Sequence, residues 1–474
     1  MNLPASTISP EDKIPPKQKI AYAAGGAVEW FTGASIGALW MPVFNLGFGM
    51  SPALLGIVSA IHRIYDAFSD PIIGNISDNT RTRWGRRRPY IFVGSILTAL
   101  VAPLLWRMPE GWSQTAMFAY LVLFGILLYT CTTIWAMSYN SLMLEMTPSY
   151  DERTRVAGYR TIAMKFGALL GTWILTFASS SWFADPQTGE ADLVNGIQHI
   201  SIWLSVGTIA LGVLPAIFVK ERYYAADASK QAKEPLLKGI LDSLKLKPLW
   251  MLTGIVTLQV FGNGLVGALG FYINLFYVND GKLANAAFIE GLKGSTAFIV
   301  GLAAVPFWIW VCERLDKKWT LMIIIGSGFI AAALNLICIR PDLPYLQIVP
   351  AVFYASVTAS VWLILPSMMA DVVDCDELRT HRRREGNINA IFSWFFKAGT
   401  TLSTAMSGFV LVWTGFDAAV GSQPREVLDR MFLLYITVPS FFYSIALALL
   451  WFYPLTRKKS FELRAELEAR RGKV

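Results

Sequence analysis

Residues 61–90 read IHRIYDAFSDPIIGNISDNTRTRWGRRRPY, and this stretch decides the fold. Its first part places Asp66 and Asp70 inside an otherwise apolar segment, and its second part is rich in arginine. A charged side chain at membrane depth costs at least ~2.5–3.5 kcal/mol on insertion scales, so it usually marks the path of a solute or ion. An arginine cluster is typical of the cytoplasmic end of a membrane-spanning helix. The stretch therefore predicts a membrane protein that moves a solute.

The composition is that of a helical membrane protein. Of the 474 residues, 54% are hydrophobic and 16% are charged, whereas soluble globular domains carry about 25% charged residues. Stretches without charge run over 30–61, 111–144, 248–279, 343–370 and 431–456, and each exceeds the roughly 20 residues that cross a bilayer as a helix. The net charge of +8 is therefore interpreted as topological. We expect the lipid bilayer as a partner and no nucleic acid. The four cysteines show no paired spacing, so neither a disulfide framework nor a metal cluster is expected.

We predict an all-α polytopic fold of twelve transmembrane helices in two pseudo-symmetric six-helix halves. The spans are placed at 20–46, 51–76, 90–107, 114–140, 158–183, 199–219, 248–278, 289–312, 319–339, 344–371, 387–415 and 430–455. Lys and Arg concentrate in the termini and in every second loop, which predicts that both termini are cytoplasmic. The expected domains are an N-terminal tail over 1–19, an N-terminal half over 20–219, a middle loop over 220–247, a C-terminal half over 248–456 and a C-terminal tail over 457–474.

Three ordered motifs resemble the glycoside–pentoside–hexuronide:cation symporter family of the major facilitator superfamily. They are Asp66-x-x-x-Asp70-Pro71-x-x-Gly74 followed by Arg83-Trp84-Gly85-Arg86-x-Arg88-Pro89, Asp151-Glu152-Arg153-Thr154-Arg155 through Tyr159-Arg160, and Ala370-Asp371-x-x-Asp374 followed by Arg384-Glu385-Gly386 and Lys397. The resemblance covers residues 20–455. It implies a secondary active transporter of the cell inner membrane that couples Na⁺ or H⁺ to symport of a sugar, glycoside or uronide by alternating access. We expect a functional monomer, with no cofactor besides the coupling ion.

The carboxylates of the first motif are predicted to bind the coupling cation. Arg63, Asp66 and Asp70 follow an i, i+3, i+7 spacing, which places them on one face of a helix. Pro71 leaves a backbone carbonyl one turn earlier without its helical hydrogen bond, so oxygen atoms suited to Na⁺ collect there. Alternatively, the carboxylates share a proton, because like charges raise the pKa of one of them. The resemblance adds Thr133 to this site, and a static ion pair between Arg63 and Asp66 is the structural alternative.

Lys397 is the lone charged residue of the predicted eleventh span. A buried lysine needs a counter-ion or loses its proton, and the second span offers more carboxylates than arginines. We therefore expect Lys397 to compete with the cation for Asp66 or Asp70 and so to link the two halves. The alternative is a lysine whose side chain extends along its helix towards the membrane surface.

The sugar is expected to lie among aromatic faces and a few polar groups. The candidates are Glu29, Trp30, Trp135, Asn140, Arg160, Trp362 and Trp394. Arg160 and Trp362 are assigned by resemblance. An isolated acid in a span, such as Glu29, usually has a functional role, and structural pairing is the alternative. For each tryptophan, the alternative is packing or contact with lipid. The family's galactosyl-binding aspartates align with Trp30 and Ala136, which favours another glycoside, an oligosaccharide or a uronide.

Charged residues near the inward loops are predicted to form a cytoplasmic gate of ion networks between the halves. They are Asp78, Arg86, Arg88, Glu145, Arg153, Asp371, Asp374 and Arg384. The simpler alternative is positive-inside charge without a gate.

Two other functions stay open at this point. The same fold could carry an amphiphile such as a lysolipid, or the chain could sense a solute without transporting it. An enzyme is not expected, because the sequence contains no nucleophile–base or metal-ligand constellation.

Overall fold

The computed structural model describes residues 13–147, 149–184, 192–221, 246–380, 385–418, 420 and 422–471. Thirteen long helices lie in this part of the chain: α1 Pro16–Met41, α2 Pro52–Asn79, α3 Arg88–Leu105, α4 Gln114–Met146, α5 Tyr150–Ala178, α6 Leu193–Gly212, α7 Lys247–Leu265, α8 Leu283–Leu315, α9 Lys317–Cys338, α10 Ile348–Thr380, α11 Glu385–Trp413, α12 Arg425–Trp451 and α13 Arg457–Arg471. The short helices Leu214–Phe218 and Gly267–Tyr272 continue α6 and α7. The π-helical turns Pro42–Gly47 and Ile273–Val278 end the first and seventh spans.

The chain divides into two compact units, Met1–Ala232 and Lys233–Val474. In the first unit α1 packs on α5 and α6, α3 packs on α4 and α6, and α2 packs on α4. In the second unit α7 packs on α11 and α12, α9 packs on α10 and α12, and α8 packs on α10. Adding six to the helix numbers of each first-unit pair gives the corresponding pair of the second unit. The predicted fold, twelve spans in two pseudo-symmetric halves, is therefore confirmed.

Several helices are longer than the predicted spans because caps and turns, not hydropathy, set their ends. Ser149 Oγ accepts the N–H of Glu152 at 3.5 Å, and α5 begins at Tyr150 instead of residue 158. The second helix likewise continues to Asn79, three residues past its predicted end at 76. Hydropathy marks only the part of a helix inside the hydrocarbon layer, so the polar turns beyond it were missed.

Eight helices of the described residues are long and apolar enough to cross a membrane on composition alone: α3, α4, α5, α6 and α7 with their extensions, α8, α9 and α12. In each of these helices, 22% to 50% of the most apolar 18-residue segment is buried. A large part of the apolar surface therefore faces outward, as a bilayer requires. The second helix falls outside this set because Arg63, Asp66 and Asp70 lie within it. The protein is a multi-pass membrane protein.

The predicted polar C-terminal tail is helical over α13. Leu463 and Leu467 are 9% and 2% exposed, and α13 packs on α10. At its first residue, the backbone N–H of Arg457 donates to Asp316 Oδ2 at 2.8 Å. Two leucines in a strongly charged segment are too few to predict this helix from hydropathy.

Candidate functional site

The predicted cation residues of α2 and α4 lie next to each other. Thr133 Oγ1 donates to Asp66 Oδ1 at 3.4 Å, and Thr133 is 3% exposed. A second contact fixes the two helices at this level, because the Tyr65 hydroxyl and Thr130 Oγ1 are 2.7 Å apart. The structure thus brings Asp66 and Thr133 together, as the resemblance led us to expect.

Asp70 lies one turn further along α2, and both carboxylates are half-buried. Pro71 lies inside α2, where it cannot donate to the carbonyl one turn earlier. Two carboxylates, a threonine hydroxyl and that carbonyl are hard oxygen donors of the kind that small cations prefer. Arg63 is exposed three residues before Asp66 on the same helix. The static Arg63–Asp66 pair therefore stays the structural alternative at this site.

A second polar centre joins α1, α4 and α5 around Arg160. Its Nη2 donates to Glu29 Oε2 at 2.7 Å and to Asn140 Oδ1 at 2.6 Å. The guanidinium carbon lies 5.3 Å from the centre of the Tyr139 ring. Arg160 Nε is buried without a hydrogen-bond partner among the described residues. Two of the predicted sugar residues thus bind the guanidinium of a third, and that guanidinium keeps an unused donor.

Close approach of α1 to α5 makes this centre possible. A Cβ on Gly26 would lie 2.8 Å from Arg160 Cγ, and one on Gly167 would lie 2.3 Å from the Ala27 carbonyl oxygen. Only glycine leaves room for that approach, so both positions serve packing.

The aromatic residues next to Arg160 form a stack that sequence reasoning found only in part. Tyr139 stacks on Trp135 with ring centroids 4.7 Å apart and on Tyr22 at 4.6 Å. Trp135 is 5% exposed, and its Nε1 donates to the Gly212 carbonyl at 3.2 Å. Its buried position favours a packing role over the predicted contact with substrate. The i, i+4 spacing of Trp135 and Tyr139 on α4 was the available signal for the stack.

The other predicted sugar residues are scattered. Trp30 is 49% exposed next to Glu29 on α1, and Trp394 is 64% exposed on α11. The side chain of Trp362 lies outside the described residues. Lys397 is exposed on α11 in the second unit, while Asp66 and Asp70 belong to the first, so their pairing stays a prediction.

Part of the predicted gate forms an ion network inside the first unit. Arg86 Nη2 lies 2.6 Å from Glu145 Oε1, and Arg87 Nε lies 3.0 Å from the same oxygen. Arg87, which is 4% exposed, also pairs with Asp78 and donates to Ser77 Oγ at 2.6 Å. The network therefore centres on the buried Arg87.

Glu221, which the sequence did not single out, binds the backbone of the arginine-rich loop. Its carboxylate accepts the backbone N–H groups of Arg86, Arg87 and Arg88 at 2.8, 2.9 and 3.0 Å. Gly85 precedes them at a φ of +104°, and a Cβ there would lie 2.5 Å from the Glu221 carboxylate. The loop therefore needs both the left-handed glycine and the acid.

Three of the remaining gate candidates contact residues of their own unit. Arg88 Nη2 donates to the Ile217 carbonyl at 3.0 Å, and Arg153 Nε donates to the Thr147 carbonyl at 2.7 Å. In the second unit Asp371 pairs with Lys317 Nζ at 2.7 Å. The half-buried Asp374 follows Asp371 on α10. Arg384 lies outside the described residues.

Comparison with known proteins identifies the family. A family model described as "MFS/sugar transport protein" matches residues 24–457. The chain belongs to this family. The predicted resemblance is confirmed, and the protein is a transporter and not an enzyme.

Relatives of similar length carry transport names. An "Uncharacterized symporter sll1374" of Synechocystis is 28% identical over 95% of this chain and 96% of its own. A "Glucuronide carrier protein homolog" of Escherichia coli is 26% identical over 95% of each chain. A "Sodium-dependent lysophosphatidylcholine symporter 1" of Xenopus tropicalis is 23% identical over 96% of this chain and 90% of its own.

Solved structures share the fold. A bacterial homologue of the human lysosomal transporter Spinster, in an inward-facing and unoccupied conformation, superimposes with a TM-score of 0.66. It covers 94% of this chain and is 13% identical, so this likeness concerns the fold alone.

Proposed function

We propose that the protein is a symporter that couples Na⁺ or H⁺ to the uptake of a glycoside, with uronides as the favoured class. The observation that carries the proposal is the position of two polar centres on one helix. Thr133 at the carboxylates and Asn140 at Arg160 are seven residues apart on α4, so they share a helix face about 10 Å apart. A rigid helix that touches both centres can transmit occupancy of one to the other.

The chemistry around Arg160 suits a hydroxylated anion. A guanidinium can bind a carboxylate with two parallel hydrogen bonds, and Arg160 donates one such bond, from Nη2, to Glu29. A uronide carboxylate would take the place of Glu29, while a neutral glycoside would donate its hydroxyl groups to Glu29. The glucuronide name of one relative is consistent with the first mode.

The chemistry around Asp66 and Asp70 suits the coupling ion. Two neighbouring carboxylates repel each other unless a bound cation or proton lowers their total negative charge. Binding of the cation would stabilise the arrangement of α2 against α4 and so tighten sugar binding. Because coupling is reciprocal, the sugar must tighten cation binding by the same factor.

We further propose that the protein works as a monomer in the cell inner membrane, with both termini in the cytoplasm. Alternating exposure of the two centres to the two sides of the membrane would complete the cycle.

A substrate screen tests the proposal. Cells producing the wild type, Arg160→Gln or an empty vector receive a panel of radiolabelled glucuronides, neutral glycosides and monosaccharides. Accumulation of one class that is lost in Arg160→Gln supports the proposal. Accumulation of no panel member, or uptake that is unchanged in Arg160→Gln, contradicts it.

A second candidate is a carrier of a lysolipid-type amphiphile, which the name of the Xenopus relative suggests. The same cells are tested with a fluorescent lysophosphatidylcholine. Uptake of this probe, combined with no glycoside uptake, would replace the glycoside with an amphiphile as the substrate class.

A further inference from the structure

One surface of the second unit is not used by the proposed transport function. It lies where α8 meets α9 and where α12 meets α13. Trp319, Trp451 and Phe461 are 45%, 58% and 61% exposed there. Exposed aromatic rings at the ends of membrane helices are typical of the boundary between lipid and water.

Measured contacts join the residues of this region into one surface. We call it the basic–aromatic surface and define it as Arg314, Trp319, Trp451, Arg457, Lys458 and Phe461. The rings of Trp319 and Trp451 meet edge to face with centroids 5.9 Å apart. Arg457 Nη1 donates to the carbonyl of Glu313, the neighbour of Arg314, at 2.8 Å. The Arg457 guanidinium lies 5.9 Å from the centre of the Phe461 ring.

The cations of this surface are not paired with acids within the part of the chain that the structure describes. Arg314, Arg457 and Lys458 are exposed, and none of them forms an ion pair with another residue that the structure describes. The Asp316 carboxylate is occupied by two backbone N–H groups, at 3.4 and 2.8 Å. Glu313 is exposed nearby, so three positive charges face the two negative charges of Glu313 and Asp316, and the surface is net positive.

The helix α13 holds two of these cations in place before any ligand arrives. Its Leu463 and Leu467 are buried, and it packs on α10. The positions of Arg457 and Lys458 at the start of α13 are therefore fixed. A preformed site loses less conformational entropy when it binds a ligand.

We propose that the basic–aromatic surface binds the headgroup of an anionic phospholipid. Arg314, Arg457 and Lys458 would contact the phosphate, and the exposed rings would lie at the level of the glycerol backbone. The surface continues the outward apolar side of α8, where Phe307 is 55% exposed. An occupant that touches both the cations and this apolar side is a lipid with acyl chains.

Native mass spectrometry of the full-length protein in detergent tests this proposal. The probes are dioleoyl phosphatidylglycerol, dioleoyl phosphatidylcholine and soluble glycerol phosphate. The test variant is Arg314→Gln, Arg457→Gln and Lys458→Gln combined. The matched control is Lys282→Gln, Arg425→Gln and Arg430→Gln combined, which removes three exposed cations at the opposite ends of α8 and α12.

The wild type should bind phosphatidylglycerol at least about tenfold more tightly than phosphatidylcholine, and the test variant should lose that preference. The control variant should keep it. Equal losses in both variants, equal binding of both lipids, or full competition by glycerol phosphate would overturn the proposal. The single variant Lys458→Gln changes only one exposed residue and tests the proposal independently if the triple variant misfolds. It should weaken phosphatidylglycerol binding about threefold to fivefold.

Discussion

Arg160 and Glu29 form an ion pair with 2.7 Å between Nη2 and Oε2, and the same Nη2 lies 2.6 Å from Asn140 Oδ1. One guanidinium thus ties α5 to α1 and α4. Both side chains of the pair stay partly accessible, at 19% and 28% exposed. That exposure leaves both charged groups within reach of a solute, which is why we interpret the pair as a binding centre.

Arg160→Lys should weaken substrate binding about 10-fold to 100-fold, because a hydrogen bond to a charged group contributes ~1.5–3 kcal/mol. Lysine keeps the charge but lacks the planar fork that reaches two acceptors. The measurement is the substrate dissociation constant of purified protein. Arg155→Gln, an exposed cation on the same helix, is the control and should bind normally. Equal affinity for wild type and Arg160→Lys would show that the fork is not used.

Thr133→Val should raise the cation concentration needed for half-maximal uptake by about threefold to tenfold, since one hydrogen bond contributes ~0.5–1.5 kcal/mol. Valine preserves the shape of threonine and removes only the hydroxyl that faces Asp66. Thr133→Ser should stay near the wild type. Thr132→Val is the control, because the Thr132 hydroxyl donates to the carbonyls of Leu128 and Tyr129 in its own helix. A shift of the same size in Thr132→Val would mean that a general weakening of α4 is responsible.

Gly85→Ala should destabilise the first unit by about 1–3 kcal/mol, the usual range for a strained backbone position. Its φ is +104° and its added methyl group would meet the Glu221 carboxylate at 2.5 Å. Gly111→Ala is the comparison, because Gly111 also has a positive φ, +75°, but no atom lies within 4 Å of the added Cβ. Thermal unfolding in detergent should therefore show a larger loss for Gly85→Ala. Equal losses would attribute the effect to φ alone and leave Glu221 without a role.

Trp135→Ala should lower stability by about 3–5 kcal/mol, the range for truncating a buried aromatic side chain. Trp135→Phe keeps a ring for Tyr139 to stack on and should fold. If Trp135 packs and does not touch the sugar, Trp135→Phe should leave substrate affinity within about twofold, well below the ~1.4 kcal/mol that a tenfold change requires. A tenfold loss of affinity in a folded Trp135→Phe protein would restore the predicted sugar contact. Chemical denaturation and equilibrium binding on the same preparation measure both quantities.

Most of the architecture could be predicted from the sequence, because bilayer-spanning helices are recognisable by their length and apolar composition. Asp66 and Thr133 could be joined only through family resemblance, since no local spacing connects α2 to α4. Glu221 escaped prediction because it binds backbone N–H groups more than 130 residues away, and such donors leave no side-chain pattern. The burial of Trp135 could not be predicted from the sequence either, because burial within a bundle depends on which face of α4 meets α3 and α6.

The two halves also repeat a device that the sequence did not reveal. In the first unit Glu221, beyond α6, accepts N–H groups at the start of α3. In the second unit Asp316, before α9, accepts the first N–H of α13 beyond α12. Each half thus uses one acid to fasten the loop after its second helix to the chain after its sixth. A helix N-terminus favours such an anion.

Gradient-driven uptake into proteoliposomes tests the central claim most directly. Vesicles containing the purified protein receive a labelled uronide or glycoside under an inward Na⁺ gradient, an inward H⁺ gradient or no gradient. The account predicts accumulation above equilibrium with one of the gradients, and none in Asp66→Asn. Uptake that only equilibrates under every gradient, or accumulation that survives Asp66→Asn, would contradict cation coupling at this site.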